Sequence, residues 1–199
     1  EMTSSLVGSE MCIRDRYYGD PTNYVKAWRR MYNIAEQLGV TAYNVFVWSP
    51  NSVSMPGTEA NAMKNYYPGD MYVDWLGVSC YPPSLSATYP EERRYPLTLM
   101  QGIKQVSADK PIMISEGGYS STCDHQRWVR EWFKLKDEEP RVKAVVWENH
   151  ENAENGDRRL QSDPLALELY KELVQDPYWL DLIPDAVYSE IETRKNNSK

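Results

Sequence analysis

Residues 112–118 read Ile-Met-Ile-Ser-Glu-Gly-Gly, a short apolar run that ends on a carboxylate and passes directly into two glycines. Pro111 on one side and Gly117-Gly118 on the other bound a strand, and residues without side chains let a ligand approach closely. A carboxylate delivered there has the chemistry of a nucleophile or a general acid/base, whereas a Glu that merely opens a surface turn has the same local sequence. Position alone does not separate the two readings of Glu116. The other strand ends of the pattern hold Asn51, Tyr81 and the stretch Trp147 to Asn149. His125 and His150, the only histidines, lack metal-ligand spacing and read as surface or capping residues, so no metal or cofactor is expected. Ser120 and Ser121 follow glycine, but Glu116-Gly117-Gly118-Tyr119-Ser120 lacks the G-x-S-x-G order of a serine nucleophile. The run Lys134 to Glu139 reads as a solvated helix end.

The elements that must position these residues alternate. Asp20-Pro21 supplies a cap and a first-turn proline, and Tyr24, Trp28, Met31, Ala35 and Leu38 recur at helical spacing up to Gly39. Val40 to Trp48, rich in β-branched and aromatic residues, predicts a buried strand, and Tyr72 to Cys80 a second one after Pro68-Gly69-Asp70. Leu97, Met100, Ile103 and Val106 predict a helix ending before Lys110-Pro111. Ile112 to Ser115 predicts the next strand, and Trp128, Val129, Trp132 and Leu135 a helix stopped by Pro140. Val142 to Trp147 is a fourth strand, and Asp163-Pro164 opens a last helix with Leu165, Ala166, Leu169, Tyr170 and Leu173 on one face.

Strands separated by helices argue a parallel sheet with right-handed crossovers. An eight-unit barrel spends about 31 residues per unit, so a leading helix and four units need about 140, close to the span from Asp20 to Asp176. The expected fold class is therefore α/β, the C-terminal portion of a (β/α)8 TIM barrel. A doubly wound sheet competes, but no glycine-rich phosphate loop follows the first strand. Residues 17–176 form the expected barrel part and 177–199 a C-terminal tail, in which Pro177 to Leu180 has the character to pack back and Arg194 to Lys199 reads as disordered. Residues 1–16 resemble a translated sequencing adapter, Leu6 to Asp15 carrying the match, and are expected to be artefactual.

Acidic residues number 29 against 22 basic, a formal charge of −7, which argues against a surface built for phosphates; no nucleic-acid partner is expected. No apolar run approaches the ~20 residues of a membrane helix, so no membrane partner is expected either. The 7 Trp and 15 Tyr against 2 Phe favour rings with a hydrogen-bonding edge, which suit sugars. Cys80 and Cys123 could pair only with their Cα atoms within ~7 Å.

The array of pieces resembles glycoside hydrolase family 26, mainly β-mannanases on a (β/α)8 barrel that retain anomeric configuration. The matching runs are Pro21 to Arg29, Val47-Trp48-Ser49-Pro50-Asn51, Pro68-Gly69-Asp70 leading to Val73 to Val78, Lys110 to Glu116, and Val142 to Trp147. The resemblance implies that Glu116 ends the seventh barrel strand and is the nucleophile. It implies an acid/base Glu at the end of the fourth strand, in a Glu-Met-Asn-like motif upstream of Asp20; Glu1-Met2-Thr3 is the candidate remnant, with Thr3 in place of Asn. Tyr81 matches a tyrosine that orients the nucleophile, and Trp147 a tryptophan that floors the cleavage subsite; loop capping for Tyr81 and barrel core for Trp147 are the competing readings. Trp48 and Asn51 either line the groove or serve core packing and loop capping. Ser79 departs from the Asp that mannanases commonly carry two residues before the tyrosine, so mixed-linkage glucan and xylan stand beside mannan as the polysaccharide or oligosaccharide partner. A non-catalytic remnant binding saccharide weakly through Trp147 and Tyr81 is the remaining alternative. A secreted or cell-surface location follows from the resemblance only, and open sheet edges predict aggregation.

Overall fold

The structure, a computed structural model, describes residues 19–54, 56–82, 95–120, 123–152 and 156–179. Residues 1–18, with Glu1 and the adapter-like run, lie outside the described residues, as do Ser121 and residues 180–199.

The first helix, α1 (Pro21–Gln37), forms where the cap predicts it: the Asp20 carboxylate accepts from the Asn23 N–H at 3.0 Å, and Pro21 takes the first turn. Its buried face is Tyr24 and Trp28. The Trp28 indole donates to the Tyr72 carbonyl at 2.8 Å and Arg29 to the Pro68 carbonyl at 2.8 Å, which straps the helix to the crossover that follows. Four strands, β1 (Val47–Trp48), β2 (Trp75–Cys80), β3 (Ile112–Gly117) and β4 (Val142–Trp147), make one parallel sheet in the order β1-β2-β3-β4. Each strand lies beside its predecessor. A doubly wound sheet would reverse direction at a switch point, whereas a sheet order that follows the chain is that of a barrel, and the chain forms four consecutive units of one.

Of the helices α2 (Pro96–Leu99), α3 (Gln101–Lys104), α4 (His125–Glu138) and α5 (Pro164–Leu173), α3 packs on β2 and α4 on β4, and α2 and α5 pack on α4. The core between them joins Leu76, Val78, Ile112, Ile114 and Val142 from the strands to Ile103, Trp128, Trp132 and Leu135 from the helices, all fully buried. Leu-, Ile- and Trp-sized side chains removed from water are each worth roughly 1.5–3 kcal/mol, so this layer holds the sheet together. The residues after α5 pack back as their apolar character predicts: Trp179 meets Phe133 edge-to-face at 5.6 Å and the Tyr178 hydroxyl donates to the Val142 carbonyl at 2.6 Å.

Three expectations need correction. Val40–Ala42 is a 3-10 turn rather than strand, because Gly39 turns the chain in the left-handed region (φ +70°) and the Tyr43 N–H closes on the Val40 carbonyl at 3.1 Å. Only Val47–Trp48 reach the sheet, and Tyr43 and Val45 are exposed. Likewise Asp70–Tyr72 is a 3-10 turn, so β2 starts at Trp75. The stripe from Leu97 to Val106 is two short helices broken at Met100, although Leu99, Met100 and Ile103 are buried as their spacing requires. The hairpin β5 (Glu151–Asn152) with β6 (Gly156–Asp157) was not foreseen, since two-residue strands are too short to alternate.

Asp163 caps α5 by accepting from the Leu165 and Ala166 N–H groups at 3.0 and 3.1 Å, and its other oxygen meets His125 Nδ1 at 3.0 Å. Burial pushes its pKa up, but the Ala166 N–H, the His125 contact and the Leu165 N–H together hold it below the usual carboxylate range. A depressed carboxylate stabilises the fold above its unfolded pKa of about 4 and loses that contribution as pH falls through the folded value. Asp163→Ala is therefore expected to cost about 1–2 kcal/mol at neutral pH in urea denaturation, and less in acid. A cost that does not shrink on acidification would count against this account.

Candidate active site

The register of the sheet brings the predicted residues to one rim. Glu116 is aligned with Ser79, Asn51 bridges to Ser79, and Gly117 is aligned with Trp147. Glu116, Tyr81, Asn51 and Trp147 thus all lie at the C-terminal ends of adjacent strands, where barrels of this kind build their sites.

Glu116 is half-buried at the end of β3. The first glycine after it answers to packing. A Cβ on Gly117 would stand 2.5 Å from the Cys80 carbonyl oxygen and 2.8 Å from Trp132, and both glycines are buried. The close approach lets the Trp132 indole lie under the strand that carries the carboxylate. Gly117→Ala forces backbone against backbone, and we expect it to cost about 1–3 kcal/mol in urea denaturation; a loss below 0.5 kcal/mol would show that the strands separate easily.

Tyr81 follows β2 and is half-buried. Its phenol pKa is raised, first by burial, then by a hydrogen bond to Glu148 and by the charges of Glu116 and Glu148, with Arg158 opposing. The Arg158 guanidinium lies 4.0 Å over the Tyr81 ring and pairs with Glu148. Glu148 also lies 3.1 Å from His150 Nδ1, and its backbone N–H donates to the Gly117 carbonyl at 2.8 Å. A cation, two carboxylates and a phenol therefore meet at the ends of β2, β3 and β4.

Trp147 donates its indole N–H to the Arg158 carbonyl at 3.0 Å and meets Tyr119, Trp132 and Tyr170 edge-to-face at 5.2, 5.2 and 5.7 Å. The ring is partly buried in this aromatic cluster. Of the two readings of Trp48, the structure agrees with core packing and not with groove lining: the ring is 1% exposed, with Tyr67 edge-to-face at 5.1 Å. Asn51 is exposed, and its side-chain oxygen accepts from the Val53 N–H at 3.3 Å and the Ser52 hydroxyl at 3.4 Å, which is loop capping. His125 stacks on Tyr119 at 4.0 Å and, with Asp163, ties two helix N-termini together. Cys80 and Cys123 are free thiols; burial pushes Cys123 up to about 11.

Two residues of the site escaped sequence reasoning as individuals. Glu148 was visible only as part of the strand end after Trp147, and Arg158 returns from the β5–β6 hairpin, whose brevity hid it.

The sequence model of glycosyl hydrolase family 26 matches residues 12–123, more than half of the chain. The chain belongs to glycosyl hydrolase family 26. The matched stretch contains Tyr81 and Glu116 and stops short of Trp147, Glu148 and Arg158; it begins at Cys12, within the segment read as adapter. Among curated proteins, Endoglucanase H of Acetivibrio thermocellus is 26% identical over 155 residues, which are 76% of this chain and 17% of that protein. Among solved structures, the catalytic domain of a family 26 endo-β-1,4-mannanase from Bacillus sp. JAMB-750 superposes with a TM-score of 0.54 at 19% identity, over 79% of this chain and 44% of that one. The modular endo-β-1,4-mannanase of Cellulomonas fimi gives 0.55 at 18% identity over 82% and 37%. A family 26 β-mannanase from Bacteroides ovatus gives 0.52 at 20% identity over 80% and 44%. At these identities the superpositions establish the fold, and the chain spans less than half of each of these relatives.

Proposed function

We propose that this family 26 chain carries the nucleophile side of a retaining endo-β-1,4-mannanase, with Glu116 as the nucleophile. The observation that carries the reading is the placement of Glu116 at the C-terminal end of β3 beside the Tyr81 phenol, whose proton affinity its charge helps to raise. In the first step a Glu116 oxygen bonds the anomeric carbon as the glycosidic C–O bond breaks, and a second carboxyl group protonates the departing oxygen. In the second step water, deprotonated by that same group, displaces Glu116 and restores the starting configuration. The acid/base must stand about 5 Å away. Glu1, the candidate from the Glu-Met-Asn resemblance, lies outside the described residues. Trp147 is the surface on which the apolar face of a pyranose stacks, through whatever part of the ring the aromatic cluster leaves open.

A glucan-cleaving variant of the same site has two supports: Ser79 where mannanases commonly carry Asp, and the similarity to Endoglucanase H. Release of reducing ends from β-mannan, mixed-linkage β-glucan and xylan, each offered to the whole chain, tests both. Mannan cleavage is the expected result. Cleavage of glucan with none of mannan would overturn the mannanase assignment. No cleavage of any polymer, with polysaccharide still retarding the chain in an affinity gel, would leave the non-catalytic binding reading.

A further inference from the structure

Which way the rim side chains point follows from two contacts with α4. A Cβ on Gly117 would stand 2.8 Å from Trp132, and the Trp147 ring meets Trp132 at 5.2 Å, so Gly117 and Trp147, aligned in neighbouring strands, both turn toward α4. Successive residues of a strand face opposite ways. Glu116, just before Gly117, and Glu148, just after Trp147, therefore both turn away from α4, toward the open mouth. The ladder still runs at that point, since the Glu148 N–H donates to the Gly117 carbonyl at 2.8 Å. Glu148 is a carboxylate that the proposed reaction does not use.

It is held from two sides. One oxygen pairs with Arg158 Nη1, and the other lies 3.1 Å from His150 Nδ1. The Arg158 N–H donates to the His150 carbonyl at 3.1 Å, which ties the two flanking residues to each other. The Arg158 side chain is 8% exposed, with its guanidinium 4.0 Å over the Tyr81 ring, whereas Glu148 keeps 21% of its side-chain surface and His150 55%. An ionised carboxylate only accepts hydrogen bonds, so His150 Nδ1 carries the proton between them, and Nε2 of the neutral imidazole is left as an acceptor. A carboxylate has about four acceptor positions, of which Arg158 and His150 take two. What this part of the rim offers to a ligand is thus acceptors, with the cation buried behind them.

We propose that Glu148, anchored by Arg158 and flanked by His150, is a specificity-determining residue of the saccharide groove: it accepts hydroxyl protons from a neutral glycan and turns away sugar units that carry a carboxylate. Every free sugar hydroxyl brings a donor to this rim. The carboxylate of a uronic acid brings none and adds a third like charge beside Glu116 and Glu148. The inference rests on the saccharide reading of the site given above, and not on which residue attacks the anomeric carbon.

The test is affinity electrophoresis of the whole chain in gels that hold β-mannan or mixed-linkage β-glucan, each native or with part of its C6 hydroxyls oxidised to carboxylates. The expected result is retardation by a native polymer and binding about tenfold or more weaker to its oxidised form. Glu148→Gln, checked for fold by circular dichroism, should bind the native polymer about tenfold more weakly, as the loss of a charge-assisted hydrogen bond implies, and should lose most of the discrimination against the oxidised one. A folded Glu148→Gln that binds the native polymer as tightly as the unsubstituted chain overturns the proposal. So does an unsubstituted chain that binds the oxidised polymer as tightly as the native one. Should Glu148→Gln not fold, the unsubstituted chain answers by NMR. His125 and His150 are its only histidines, so the His150 ring signals are assigned by their absence in His150→Ala. An oligosaccharide cut from the native polymer should move the His150 signals and leave those of His125 in place; a bound oligosaccharide that leaves His150 unmoved overturns the proposal. No retention by either native polymer overturns it together with the saccharide reading. None of these readings needs turnover, so a chain that binds and discriminates without cleaving counts against Glu116 as nucleophile and leaves the Glu148 result standing.

Discussion

If Glu116 is the nucleophile as proposed, Glu116→Gln is expected to abolish polysaccharide cleavage, by on the order of 10⁴-fold or more, while the chain keeps its fold. The amide has the size of the carboxylate, so β3 and its packing against Trp132 are untouched, and the half-buried position of Glu116 tolerates a neutral group. What is lost is the electron pair that would bond the anomeric carbon, and removing a nucleophile typically costs most of an enzyme's rate enhancement. A second variant sharpens the outcome. Glu116→Ala opens a space at the same point, and added azide should recover cleavage by forming a glycosyl azide of opposite configuration, because the displacement then occurs once instead of twice. If Glu116→Gln cleaves as fast as the unsubstituted chain, the nucleophile lies elsewhere.

Arg158→Ala is expected to be the most damaging substitution for stability at the site, by about 3–5 kcal/mol, nearer the lower figure because Glu148 keeps some contact with water. The loss comes less from the attraction removed than from what stays behind: Glu148 would be left with its guanidinium partner gone, and the Tyr81 ring would lose the cation over its face. Urea denaturation of Arg158→Ala, Glu148→Gln and the double variant measures this. Neutralising Glu148 in the Arg158→Ala background should recover part of the stability, since the two residues act as one unit. Additive losses would mean that the pair is not coupled, and a loss under 1 kcal/mol for Arg158→Ala would mean that water already replaces the guanidinium.

Much of the scaffold was legible because its signals are local. Asp20-Pro21 and Asp163-Pro164 mark helix starts through side-chain geometry that needs no tertiary partner, and both caps form as read. Ile112 to Ser115 and Val142 to Trp147 are apolar runs between breakers and became the two strands that carry Glu116 and Trp147, the first of them running two residues further, to Gly117. The reading failed where tertiary context decides. Val40 to Val45 has strand composition, but Gly39 and a tight turn spend those residues before the sheet is reached. At Trp48 the sequence left groove lining and core packing open, because which way a ring points from a strand end depends on neighbours such as Tyr67 that arrive from elsewhere in the chain. Arg158 was out of reach for the same reason: no local pattern says that a residue beyond a two-residue hairpin folds back over Tyr81.

The agreement between strand order and chain order bears on how the molecule is made. Val47 pairs with Trp75, Leu76 with Ile112 and Ile112 with Val142, so each strand's partner is the one synthesised one repeat before it. A nascent chain can then add strands at a single growing edge as it leaves the ribosome, with no strand inserted between two already paired. The Glu116 carboxylate would gain its Tyr81 neighbour when β3 docks. Arg158, with Glu148 paired to it, would close over that neighbour only after β4 and the hairpin have emerged, so this charged cluster would be the last part of the rim to be assembled.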